Sequence, residues 1–121
     1  MHNFRKLDVW KESMVFVKSI YEVTIGFPKA EQYGLTSQLN RAVVSIPTNI
    51  AEGAGRGTDL DFARFLAIAN GSAYETETLL RLAISLELIV EEEIAQLLDD
   101  LDKIQKKIFQ LRNSVLRKAQ G

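Results

Sequence analysis

Few residues in this chain carry the chemistry that catalysis uses. Histidine occurs once, at His2, and cysteine not at all, which removes disulfides, thiolate metal sites and cysteine nucleophiles. A di-iron carboxylate bundle needs Glu-x-x-His on two of its helices, and none is present. No HExxH motif or histidine-dependent triad can be built either. Glu52-Gly-Ala-Gly-Arg-Gly57 has the glycine content of a phosphate loop. It lacks the Gly-Lys-Ser/Thr ending and follows no strand, so it reads as a helix cap. Glu75 and Glu77 stand two apart on a helical pattern and point to different sides, a poor acid–base pair. Glu91-Glu-Glu93 reads as a solvated helix start. These absences predict a protein that is not an enzyme and holds no metal or cofactor.

What remains is a polar stripe. Arg41, Ser45, Thr48 and Glu52 recur at helical spacing, with Asn49 beside them. A helix that only packs against a core does not need a second ordered stripe. Arg41, Ser45, Asn49, Glu52 and Glu75 are expected to form a polar network between the second and third helices, fixing register or subunit pairing. Arg56 and Arg64 are candidates for phosphate contacts, because guanidinium matches phosphate oxygens bidentately. No run of aromatic residues interleaves with basic ones as a single-strand stacking platform requires; Arg64-Phe65 stands alone.

The elements that position these residues are helical throughout. Asp8 to Ile25 predicts the first helix, with Asp8 as its cap. Its apolar residues cover about half the circumference, where one core contact needs a stripe of about 100°. That excess fits either a deeply set helix or a second buried contact through Trp10, Met14, Val17 and Tyr21 with another subunit. Gly26-Phe27-Pro28 ends the helix, since proline disfavours helical geometry at the residue before it. The second helix, about 31–54, carries the apolar stripe Leu35, Leu39, Ala42, Val43, Ile46, Ile50. Pro47 lies inside it and is expected to kink it without breaking it, because the stripe continues past the proline. The freed carbonyls are within reach of Ser45 and Asn49. A left-handed glycine in the segment 52–57 is expected to stop the helix.

Thr58 caps a third helix, about 58–87, whose core side reads Phe62, Phe65, Leu66, Ala69, Ala73, Thr76, Leu80, Ala83. Its small residues Ala69, Gly71, Ser72 and Ala73 predict a close helix neighbour. The fourth helix, about 91–118, holds a heptad seam: Ile94, Leu101, Ile108, Val115, with Leu97, Ile104 and Leu111 between them. Its first half is acidic and its second half basic. The helix dipole favours that order. The same order also supplies a basic rim of Lys103, Lys106, Lys107, Arg112, Arg117 and Lys118. No strand pattern survives. Four helices with short connections predict an all-α, antiparallel up-down-up-down four-helix bundle as a single domain over residues 1–121.

Composition agrees. The chain has 121 residues, 46% of them hydrophobic, enough for one core. Fifteen Lys plus Arg against 16 Asp plus Glu give a formal net charge of −1, so any nucleic-acid binding must come from a local patch. No secretory h-region opens the chain and no apolar run is long enough to cross a membrane, so a cytoplasmic location is expected.

Leu7-Asp-Val-Trp10, Tyr33-Gly-Leu-Thr-Ser-Gln-Leu39, Val44-Ser-Ile-Pro-Thr-Asn-Ile-Ala-Glu-Gly53, Phe65-Leu-Ala-Ile-Ala-Asn-Gly-Ser-Ala73 and Glu75-Thr-Glu77 together resemble the four-helix-bundle family encoded in intervening sequences of bacterial 23S ribosomal RNA genes, also called the S23 family. The likeness covers nearly the whole chain in order and is weakest after Leu88. The family is also similar to the accessory proteins of diversity-generating retroelements. The resemblance implies a homopentamer and RNA or DNA binding. Where the family tends to carry two adjacent basic residues before the Ala-Val-Ser-Ile segment, this chain has Asn40-Arg41. The retroelement proteins are markedly basic, which this chain is not. The expectation is therefore a non-enzymatic homo-oligomer that binds nucleic acid weakly through a basic surface. The alternative is a scaffold presenting the acidic start of the fourth helix to a basic protein.

Overall fold

The computed structural model describes residues 2–121. Four α-helices account for most of them: α1 (Asp8–Thr24), α2 (Leu35–Ala54), α3 (Asp59–Ser85) and α4 (Glu91–Gln120). Two short 3-10 turns, Phe4–Lys6 and Lys29–Glu31, precede α1 and α2. There is no strand among the described residues. Each helix packs on its neighbours around the square, most extensively α2 on α3 and least extensively α1 on α4, while the backbones of diagonal pairs stay apart. That is the antiparallel four-helix bundle the periodicities predict.

The apolar stripes are where the spacing puts them. All six predicted stripe residues of α2 are buried, as is the whole predicted core side of α3. Ile94, Leu101, Ile104, Ile108 and Val115 of α4 are buried, with Leu97 and Leu111 half-buried against the same core. α1 contributes the narrower stripe Val9, Ser13, Phe16, Ile20, Thr24. Phe27, also buried, seals the α1–α2 connection.

Helix ends differ from the sequence expectation in three places. Asp8 does not cap α1: extended Leu7 occupies that position without a side-chain bond, and Asp8 lies in the first turn, where its charge suits the dipole. α2 begins at Leu35 rather than near Glu31. Gly34 stands outside helical geometry at φ −109°, ψ −113°, and the Glu31 carboxylate reaches forward to accept from the Leu35 N–H at 3.4 Å. α2 ends at Gly55 without a left-handed residue, since its φ is −84° and no glycine has positive φ among the described residues.

The one left-handed residue among those described is Glu87, at φ 60°. It closes α3 as a Schellman turn. Its N–H donates to Ile84 O at 3.0 Å, and the Leu88 N–H donates to Ala83 O at 2.9 Å. The α3 start follows expectation, with Thr58 Oγ1 accepting from the Asp61 N–H at 3.1 Å.

α2 continues through Pro47 unbroken. Proline removes one helical donor and crowds the Val43 carbonyl. The side chains just beyond it bond back to the next two carbonyls: Thr48 Oγ1 donates to Val44 O and Asn49 Nδ2 to Ser45 O, both at 2.8 Å. Pro47 itself is buried, so its ring adds apolar contact at the point where backbone bonding is weakest.

The close approach of α2 and α3 rests on Gly53, not on Gly71. A Cβ on Gly53 would lie 2.5 Å from Phe65 Cβ and 3.1 Å from Phe62 Cδ1. Gly71 is exposed, and a Cβ there would meet nothing within 4 Å. Ala69 and Ala73 are buried as the pattern implies, and Ser72 makes a specific bond described below.

Candidate functional site

The expected polar network forms in part, and it is smaller. Ser72 Oγ on α3 donates to Ser45 Oγ on α2 at 2.8 Å, and Asn49 Nδ2 donates to the same Ser45 Oγ at 2.8 Å. This half-buried trio ties α2 to α3 on either side of Pro47, with Ser45 and Asn49 each two residues from it. Arg41, Glu52 and Glu75 do not join it. All three are exposed; Glu52 faces Arg56 at 3.9 Å, and no ion pair among the described residues includes Arg41 or Glu75. The physical reason is position: the three point off the edge of the seam, where water solvates a charge more cheaply than a buried partner does. Arg41 instead lines a shallow hollow with Tyr21, Tyr33, Asn40, Val44 and Thr48. In that hollow Asn40 Oδ1 accepts from Thr24 Oγ1 at 3.1 Å, linking α2 to α1.

Arg56 and Arg64 converge on one ring. Their guanidinium carbons lie 4.7 and 4.6 Å from the centroid of Phe65, which is buried at the α2–α3 turn. Each also faces a carboxylate loosely: Arg56 faces Glu52, and Arg64 faces Asp61 at 3.7 Å. Cation–π contact orders both side chains while leaving guanidinium donors toward solvent. In the sequence Arg64-Phe65 stands alone; the fold adds Arg56 to it from the preceding helix end.

The predicted basic rim on α4 divides. Lys106 pairs with Asp102 at 2.9 Å, and Lys107 with Glu12 of α1. Lys103 lies in the seam between α1 and α4. Arg112 is half-buried, and its Nε is a buried donor without a hydrogen-bond partner among the described residues. Asn70 Oδ1 is the matching buried acceptor. Glu77 bonds Gln105 across the α3–α4 seam, and seven residues along each antiparallel helix bring Asn70 level with Arg112. Arg117 and Lys118 are exposed near the end of α4, and the Lys118 ammonium is near enough to act on Asp59 at the start of α3.

His2 is tied to the α2–α3 turn. Its N–H donates to Ala54 O at 2.8 Å, its Nε2 lies 3.0 Å from Asp59 Oδ1, and its ring rests 4.8 Å from that of Phe62. It straps the first residues across the α2–α3 turn. The His2 hydrogen bond, helped by the Lys118 charge, holds the Asp59 carboxyl below its ordinary value. Glu77 is also held low, first by the bond from Gln105 Nε2 at 2.9 Å and then by that from Arg81 Nε at 2.9 Å. Only the Arg81 partner was legible as an i,i+4 pair; Gln105 needed the α3–α4 register.

Antiparallel order sets the starts of α1 and α3 and the ends of α2 and α4 at one end of the bundle. Arg5, Lys6, Arg56, Arg64, Arg117 and Lys118 there outnumber Asp8, Glu52, Asp59 and Asp61. The other end holds Glu87 and exposed Glu91, Glu92 and Glu93.

The four residues expected to meet another subunit are only partly covered. Met14 is 47% and Tyr21 43% exposed, while Trp10 and Val17 are half-buried. Phe4, Trp10, Met14, Val17, Val44 and Pro47 line an apolar groove between α1 and α2, with the Phe4 ring edge-on to Trp10 at 5.0 Å.

Taken together, the fold and these surfaces define an antiparallel four-helix bundle with a basic end, an acidic end and an open apolar groove. No group of three or more His, Asp or Glu placed to hold a metal occurs among the described residues. No helix among them is long and apolar enough to cross a membrane.

The chain belongs to the 23S rRNA-intervening sequence protein family, whose family model matches residues 5–110. It is similar to a crystal structure of a protein with unknown function from the S23 ribosomal protein family of Bacteroides thetaiotaomicron. The two are 28% identical with a TM-score of 0.77, over 86% of this chain and 97% of that one. No curated protein matches the chain.

Proposed function

We propose that this protein is a non-enzymatic homo-oligomer, a pentamer by family resemblance, that binds RNA or DNA weakly through its basic end. The observation that carries the reading is the pair Arg56 and Arg64 ordered on Phe65. Two guanidinium groups held by one ring lose little freedom on meeting phosphate, and Arg117 and Lys118 extend the patch. A few contacts per protomer are weak. Symmetry repeats them, and avidity multiplies them. The apolar groove beside α1 supports self-association, because Trp10, Met14 and Tyr21 keep area that one protomer leaves open to water.

The test is retention of labelled RNA and DNA at about 50 and 200 mM salt, with four duplex phosphate contacts predicting about a hundredfold loss between them. The double variant Arg56→Glu, Arg64→Glu is expected to abolish retention. Lys106→Glu, at a position paired with Asp102, is expected to leave most of it. Absence of retention at the lower salt would end the proposal.

A second reading is a scaffold that presents the acidic end to a basic protein. It is favoured by Glu91, Glu92 and Glu93, which are exposed and joined to no cation by an ion pair among the described residues. Capture of basic proteins that survives nuclease treatment and is lost on charge reversal of these three residues supports it.

A further inference from the structure

The least extensive helix contact in the bundle, α1 against α4, opens into a cleft of about 370 Å³. Its floor is apolar, made by Phe16 and Ile104, each 3% exposed. Val15 forms one lip and is 69% exposed, so the apolar surface continues up the wall. Three lysines, Lys11, Lys103 and Lys107, line the cleft, with Glu12 beside them. Lys107 is engaged by Glu12; Lys11 and Lys103 have no hydrogen bond or ion pair among the described residues. Asp100 also lies on the rim, where its carboxylate accepts from Gln96 Nε2 at 3.0 Å. An apolar floor of this size with a few convergent polar groups is the usual form of a small-ligand site. Two uncommitted cations above a greasy floor select a ligand with an anionic head and an apolar body.

We propose that the α1–α4 cleft binds a small amphipathic carboxylate, its apolar part on Phe16, Ile104 and Val15 and its carboxylate between Lys11 and Lys103. This site is separate from the basic end. It lies on the side of α1 turned about 100° from the Trp10–Met14 groove, because Lys11 and Val15 each follow a groove residue by one position. Its occupation is independent of nucleic-acid retention, so either proposal can fail alone.

The experiment is an amide NMR titration of the full chain with decanoate, kept well below its micelle threshold, and with 1-decanol as the uncharged analogue. Saturable shifts are expected at Lys11, Val15, Ser19 and Lys103, with decanol binding about tenfold more weakly, or 1.4 kcal/mol. Lys103→Glu is expected to weaken decanoate by at least the same factor with thermal unfolding unchanged, and Lys106→Glu to leave it as it was. Three results would overturn the proposal: no saturable shift, equal affinity for the alcohol, or shifts centred on Trp10 and Met14.

Discussion

Two glycines in this chain do opposite things, and one methyl group separates them. At Gly53 an added Cβ meets the Phe65 Cβ at 2.5 Å, a backbone-anchored atom that cannot swing aside. Gly53→Ala is expected to destabilise by about 1–3 kcal/mol, as overpacking does. Gly71 lies exposed in a helix interior with open space around it. Gly71→Ala is expected to stabilise by about 0.5–1 kcal/mol through helix propensity alone. Urea midpoints of the two variants check both signs. In the sequence, small residues cluster around Gly71 and point to the close contact there. The sequence does not show that Gly53, part of an apparent helix stop, meets Phe65 side on. Glu77 shows the same boundary at a charged position. Its folded carboxyl is held below the ordinary 4.5, so its contribution is fully present above that value and lost as pH falls through the lower folded one. Glu77→Gln is therefore expected to cost stability at neutral pH, and that cost is expected to shrink as pH falls below the ordinary value, a difference that thermal melts across the acid range measure.

Among the helices, what the sequence made legible was the interior of each element. Every predicted stripe position in α2 and α3 is buried, since burial follows a period that the residue types alone display. The ends were legible only where a single side chain decides them, as Thr58 does. Where the next element decides, they were not. Glu87 is the clearest case, because nothing in Leu86-Glu-Leu-Ile89 marks a left-handed residue, yet the short path from α3 into α4 requires one there. An L-residue in that conformation carries about 1 kcal/mol or more of strain, and an anion at a helix end opposes the dipole. Glu87→Gly is expected to raise the melting temperature by about 2–5 °C. Arg41, Glu52 and Glu75 fail as a network for a related reason. Spacing of three and four shows that residues share a face, not whether that face is the seam or its rim.

Across the molecule, the groove and the charged ends emerge only once four helices are set side by side. Met14→Glu and Tyr21→Glu place a charge where the protomer is already open to water, so each variant is expected to fold normally by circular dichroism. If this surface joins subunits, each variant lowers the sedimentation coefficient toward that of one chain. Val15→Glu, at a more exposed residue turned about 100° around α1, is expected to leave assembly intact. Trp10, Met14, Val17 and Tyr21 were legible as an excess of apolar surface. The meeting of Trp10, Met14 and Val17 with Phe4 and Pro47 was not, because it depends on the N-terminal segment folding back across α2.

The reversal of sign along α4 gives the particle a strongly acidic pole and a weaker basic one. A net charge of −1 says little about how such an object meets a charged support, which senses the nearest pole rather than the sum. At low ionic strength and neutral pH the protein is expected to adhere to both anion- and cation-exchange resins, presenting a different tip to each.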